Sequence, residues 1–311
     1  MPLYLTEAEV ADLLAPADAL AAVEACFERL ARGVVENRPR QRIPLEGGVF
    51  AVMHAVDEEL GLAGLKSYAW LPGGTPFVVL LFSLEQARLE AVIEAGRLGE
   101  LRTAAASAVA ARLLARPGAR SLGVIGCGRQ AEAHVTALRE VLPALEEVVA
   151  YCRDEERLGA FCERVGATAA ETHREAGEQD VVVTATTSRD PVLRGDWLPA
   201  GALVLAIGAN DPAARELDNE VLERASFVCV DSLAEARLEA GDLIEPVAQG
   251  RLDWLEVHEL HSVVGGELPG RQSDDDVVLF KSNGLAAWDV AVGAAVVQRA
   301  RERGIGRELS A

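Results

Sequence analysis

Apolar residues along the chain change their spacing twice. After Pro16 they recur at helical intervals at Leu20, Val23, Phe27 and Leu30 until Gly33, and Thr6 with Glu9 has the form of a capping box before them. Two opening helices are predicted. From Arg40 to Ile93 the texture becomes short apolar runs, at 50–53, 62–70, 77–82 and 89–93, cut by glycine, proline and charge. These predict mostly antiparallel strands. The alanine-rich stretch 98–115 predicts a long helix ended by Arg116, Pro117 and Gly118, which is where a domain junction is expected. Beyond it, 148–151, 181–185, 202–207 and 227–230 are continuous apolar runs separated by helix-length segments, as in parallel strands covered on both faces. One more strand at 277–280 leads through Ser282, Asn283 and Gly284 into a last helix up to Gly304, expected to return to the first domain.

The junction between the two textures carries the clearest motif. Residues 121–131, Ser-Leu-Gly-Val-Ile-Gly-Cys-Gly-Arg-Gln-Ala, read as a strand turning on two glycines into a helix. Gly126 permits the tight turn, Gly128 lets backbone approach a pyrophosphate, and Ala131 takes the third small position. The free N–H groups of the new helix would face the phosphates. The cofactor's type is read at the tip of the second strand, where an acid bonds the ribose of NAD and a base accepts the phosphate of NADP. Here the tip is Tyr151, Cys152 and Arg153. Arg153 favours NADP(H); Asp154, next in the chain, leaves NAD(H) open, and Arg153 as a solvated helix-start residue is the plainer alternative.

Composition narrows the function classes. The 311 residues are half hydrophobic, enough for two domains, and carry a formal charge of -19. That charge repels nucleic acid and anionic lipid, so neither is expected as a partner. No apolar run reaches the ~20 residues of a membrane span, and the first residues lack a signal peptide's plan, so a cytoplasmic protein is expected. Cys26, Cys127, Cys152, Cys162 and Cys229 are scattered without close pairs and are expected as reduced thiols. The five histidines form no metal set, so no metal is expected.

Candidate chemistry in the first domain is cationic. Arg40 and Arg42 begin the first strand run, Lys66 interrupts an apolar run, and Arg102 begins an alanine face. A buried lysine is costly unless paired or functional, and desolvation beside arginines lowers its pKa toward working pH. By composition alone, an edge-strand lysine reaching water is the commoner reading. An arginine fork can hold a carboxylate, although a solvated face is the plain alternative.

Arg40-Gln-Arg-Ile-Pro44, Leu65-Lys-Ser67, Leu101-Arg-Thr-Ala-Ala-Ala-Ser107, Gly126-Cys-Gly-Arg-Gln-Ala131, Val183-Thr-Ala-Thr-Thr-Ser188, Ala206-Ile-Gly208, Arg215-Glu-Leu-Asp218 and Phe280-Lys-Ser282 follow one another along the chain. In this combination and order the sequence resembles the ornithine cyclodeaminase and mu-crystallin family over nearly its whole length. The resemblance implies an α/β protein: a Rossmann dinucleotide-binding domain at 118–285, plus an α+β substrate-binding and dimerisation domain at 1–117 with 286–311. It implies a homodimer, a small amino acid or imino acid as substrate, and hydride transfer at its α-carbon. Arg40 and Arg102 would clamp the carboxylate and Lys66 would act beside the reacting carbon. Thr103, Gly126, Gly128, Arg129, Gln130, Arg153, Thr186, Ser188, Ile207 and Ser282 would serve the cofactor. One departure stands out: where cyclodeaminases carry a catalytic aspartate after Gly208, this chain has Asn210, with Asp211 one residue on. Asparagine bonds an amine or imine but does not accept its proton. An oxidoreductase using NAD(P)H is therefore expected ahead of a cyclodeaminase that recycles its hydride, and a crystallin-like binding protein ranks third.

Overall fold

The computed structural model describes residues 1–310. The chain opens with β1 (Leu3–Leu5), α1 (Glu7–Leu13) and α2 (Pro16–Ala31). Thr6 caps α1 with the reciprocal bond from Glu9, and Pro at the first position of α2 costs no hydrogen bond. Five strands follow, β2 (Val35–Leu45), β3 (Gly48–Asp57), β4 (Leu62–Trp70), β5 (Phe77–Ser83) and β6 (Arg88–Glu94), each antiparallel to the next. Strand β2 starts earlier than the apolar runs indicate. Its first half, Glu36 to Arg40, is polar and holds Pro39, which an edge strand tolerates, and its register slips between Arg38 and Gln41. Helix α3 (Gly96–Leu114) comes next. Two compact units divide within it: one is Met1–Ala106 with the chain from Gly284 onward, the other Ser107–Asn283. Ser107 to Leu114 belong with the second unit, where Ser107 bonds His134 and the Leu114 carbonyl accepts from Arg271.

The second unit alternates strand and helix: β7 (Ser121–Ile125), α4 (Arg129–Val141), β8 (Glu147–Tyr151), α5 (Glu155–Val165), β9 (Thr168–Ala169), α6 (His173–Gly177), β10 (Val181–Thr184), β11 (Leu203–Ala206), α7 (Asn219–Arg224), β12 (Ala225–Val230), α8 (Leu233–Glu239), α9 (Gly241–Ala248), β13 (Val257–Glu259), α10 (Leu260–Val264) and β14 (Val277–Lys281). Its eight strands are all parallel, in the order β13-β12-β14-β11-β10-β7-β8-β9. Every residue of β10, β11 and β14 is buried, which is why those runs are apolar without alternation. Order reverses between β7 and β10, and in open parallel sheets of this Rossmann kind the carboxyl ends of the strands at such a reversal are where ligands are received.

The chain then returns to the first unit with α11 (Ala286–Arg303) and the two-residue β15 (Arg307–Glu308). That unit's sheet runs β15-β1-β6-β5-β4-β3-β2. Helices α2 and α11 pack together, with Trp288 against Phe27, their ring centroids 5.4 Å apart. Helix α11 also covers β3 and β4. On β3 the burial alternates, Ala51, Met53 and Ala55 inward, with Phe50, Val52 and His54 less covered on the other face. Among the described residues no helix is long and apolar enough to cross a membrane.

Candidate active site

In the first unit, register decides which side of the sheet Lys66 occupies. It pairs with Met53 on β3 and Val79 on β5, both on the inward, helix-covered face, and is 4% exposed. It is no edge-strand lysine. Its ammonium lies 3.1 Å from an oxygen of Asp289, in the first turn of α11, and the same oxygen lies 3.3 Å from Arg102 Nε on α3. Arg102 stacks over the Trp288 ring at 5.5 Å, while Lys66 Nζ stands 5.2 Å from the Phe77 ring. Arg40 on β2 is buried too and bears on Lys66 electrostatically.

One carboxylate, Asp289, thus faces two buried cations, Lys66 and Arg102, a group whose positive charge favours an anionic ligand. Arg102 Nη1 and Asp289 Oδ2 are buried without a hydrogen-bond partner among the described residues. Burial and the Arg102 charge lower the Lys66 ammonium from 10.5 to about 8, while Asp289 opposes that fall. Near neutral pH it can therefore both give and take a proton. Thr103, one turn along α3 from Gly99, donates its hydroxyl to the Gly99 carbonyl at 2.7 Å.

In the second unit, Gly126 has φ +119, and a Cβ there would sit 2.4 Å from the Ala185 carbonyl oxygen. No other residue type fits this turn. Gly128 caps α4, and nothing lies within 4 Å of a Cβ built on it, so the backbone at the helix start is open to close approach by a ligand. Arg129 opens α4 and is exposed; the Gln130 carbonyl accepts from His134 Nδ1 at 2.7 Å. His134 is fully buried, which lowers it to about 4 and keeps it neutral, so its Nε2 accepts from the Ser107 hydroxyl at 2.9 Å.

The strand ends beside this turn are held by Glu216. Its two carboxylate oxygens accept from the Thr186 N–H and hydroxyl, the Thr184 hydroxyl, and the Gly208 and Ala209 N–H groups, at 2.7 to 3.2 Å. Burial raises its pKa, with Lys281 acting in the opposite direction. Ser188 bonds the Asp190 carbonyl, Ser282 is buried against Asp231, and Ile207 is buried. Asn210 and Asp211 are exposed on the following loop, and Asp211 accepts from the Ala213 N–H at 2.8 Å. Arg153 is exposed beyond β8, and Asp154 is engaged as the cap of α5.

The cysteines require a correction. Cys127 and Cys152 form a disulfide, whereas scattered spacing led to an expectation of reduced thiols. Parallel pairing is the cause: Ile125 on β7 stands beside Tyr151 on β8, so the loops leaving both strands emerge together. Asp289 and Glu216 were also missed as functional candidates. Asp289 has a signal, being the only charged residue from Leu285 to Val297, and Lys66 has another, since the chain has only two lysines.

Residues 2–304 match the family model of the ornithine cyclodeaminase/mu-crystallin family. An alanine dehydrogenase of Archaeoglobus fulgidus is 36% identical over 319 residues, covering 99% of this chain and 98% of that protein. Among solved structures, a Thermococcus litoralis Delta(1)-pyrroline-2-carboxylate reductase in complex with NADH and L-proline superposes with a TM-score of 0.93 at 29% identity, covering 99% of this chain and 100% of that one. The Paracoccus denitrificans iminosuccinate reductase in complex with NAD+ gives 0.92 at 30% identity, covering 100% and 99%.

Proposed function

The chain belongs to the ornithine cyclodeaminase/mu-crystallin family, and on that premise we propose that it is an NAD(P)H-dependent oxidoreductase interconverting an amine and an imine at the α-carbon of a small L-amino acid or cyclic imino acid. The observation that carries this reading is the buried group of Lys66, Asp289 and Arg102, whose excess positive charge suits a carboxylate beside an ionisable amine. Arg102 and Arg40 hold the substrate carboxylate, fixing the α-carbon in one orientation. Lys66 gives a proton to the nitrogen or bound water as the imine is reduced, and takes it back in the reverse direction. Asp289 keeps the Lys66 ammonium and the Arg102 guanidinium oriented.

The turn at Gly126 and Gly128 and the first N–H groups of α4 hold the pyrophosphate, with Thr186, Ser188, Ile207 and Ser282 on the neighbouring strand ends and Thr103, Arg129 and Gln130 as further cofactor contacts. When bound, the nicotinamide supplies or accepts the hydride. We favour NADP(H), because Arg153 is exposed at the tip of β8 while Asp154 serves its helix. NAD(H) is the alternative, and the related reductases were solved with NADH or NAD+. A homodimer is part of the reading: Ile43, Phe50 and Phe82 are exposed on the first unit's sheet, and the related archaeal alanine dehydrogenase structure is a dimer.

The test mixes the protein with NADPH or NADH, ammonia and a panel of 2-oxo acids and cyclic imines, and follows absorbance of the reduced nicotinamide. Consumption with at least one substrate is expected. Ammonia release from ornithine with no net cofactor change would replace this reading with the cyclodeaminase.

A further inference from the structure

Of the five cysteines, three are buried thiols, Cys26, Cys162 and Cys229. Desolvation pushes the Cys26 thiol up to about 12 and raises the other two, which makes all three poor nucleophiles. Cys127 and Cys152 are half-buried and bridged. Their positions coincide with the two places a dinucleotide must touch. Cys127 lies between Gly126 and Gly128, in the turn that receives the pyrophosphate. Cys152 follows β8, where Rossmann units place the acid that bonds the adenosine ribose. Their Cα atoms are 6.0 Å apart, so the bridge spans from phosphate contact to ribose contact.

From this placement we propose that Cys127 and Cys152 are a thiol–disulfide exchange site for small-molecule disulfides, and that the bridge lies across the ribose position and weakens dinucleotide binding. The proposal rests on the reading of the second unit as a dinucleotide-binding unit. In the oxidising direction one protein thiolate attacks a sulfur of the external disulfide, forming a mixed disulfide and releasing one thiolate. The second protein thiolate then attacks its neighbour's sulfur, closing the Cys127–Cys152 bond and releasing the other. The two protons of the protein thiols pass to the two released thiolates. The protein loses two electrons and the external disulfide gains them; a dithiol drives the reverse.

The test uses the whole protein, reduced with dithiothreitol or exchanged with oxidised glutathione. Titratable thiols in denaturant should fall from five to three on oxidation, and peptide mapping should place the bond at Cys127 and Cys152. Affinity for NADH and NADPH, read by nicotinamide fluorescence, should be about tenfold or more weaker in the oxidised form and recover with dithiothreitol. The double variant Cys127→Ser/Cys152→Ser should bind equally with and without glutathione disulfide, whereas the single variants Cys127→Ser and Cys152→Ser should each retain one glutathione on the remaining thiol by intact mass, so that loss of one variant to misfolding leaves the others. Equal or tighter binding by the oxidised wild type, or a count that stays at five, overturns the proposal. Failure of both forms to bind either dinucleotide overturns the reading of the unit, and the proposal with it.

Discussion

Replacing Lys66 with methionine probes the first unit's electrostatics without any substrate. Burial and Arg102 bring the Lys66 ammonium from 10.5 down to about 8, even with Asp289 at 3.1 Å. Between those two pH values the unfolded chain keeps a proton that the folded chain has released. Stability therefore rises with pH through the window: the contribution is fully present above 10.5 and lost as pH falls through about 8. A displacement of that size corresponds to roughly 3 kcal/mol. Methionine keeps the length of the buried stem but does not titrate, so the rise should vanish. Urea unfolding of both proteins between pH 7 and 10.5, followed by far-ultraviolet circular dichroism, gives the comparison. Titrations common to both proteins cancel in the difference. Wild type should gain on the variant by roughly 3 kcal/mol across the window. A difference flat to within ~0.5 kcal/mol would refute the reasoning, because Lys66 would then hold its proton as an exposed lysine does and be unsuited to proton transfer near neutrality.

Lys66→Ala should lower kcat by ~10²-fold or more with dinucleotide affinity nearly intact, whereas Arg102→Ala should act chiefly through KM for the carboxylate substrate, as steady-state kinetics and cofactor titration will report. Asp289→Asn removes the neighbour that opposes the fall in the Lys66 pKa, so the alkaline limb of the pH–rate profile for imine reduction should move to lower pH; an unmoved limb would separate Asp289 from Lys66. Arg153→Ala should weaken NADPH by about tenfold or more relative to NADH, in line with loss of a ~1.5–3 kcal/mol charge-assisted contact. An unchanged ratio in fluorescence titrations would mean that Arg153 does not read the 2′-phosphate.

Elements whose residues are buried on one face, or on both, wrote themselves into the apolar pattern. The opening helices, β3 to β6, and the parallel strands β7, β8, β10, β11 and β14 were legible for that reason. Strand β2 escaped over Val35–Pro39 because its half-covered edge position asks for little hydrophobicity, and β1 and β9 are too short to show a period. Lys66 and Arg102 stood out in the sequence as candidate cations, but their common partner did not, since Asp289 is 223 residues from Lys66. The same holds for Glu216, which gathers donors from two strand ends, and for Cys127 with Cys152, joined across 25 residues by the pairing of β7 and β8. Periodicity reports a residue's own burial; it does not report which distant side chain meets it.

Pro39 and the slipped register on β2 also constrain how copies of this chain can associate. Pro39 offers no N–H to a further strand, and the irregularity between Arg38 and Gln41 breaks the row of donors and acceptors that a new strand would need. At the opposite edge, β15 presents only two residues. Neither margin of this sheet can template its own extension, so a second molecule can lie across its broad apolar side without the pair growing into an open-ended ribbon. The exposed Ile43, Phe50 and Phe82 thereby remain available for a closed assembly while the route to fibrous stacking is shut at both ends.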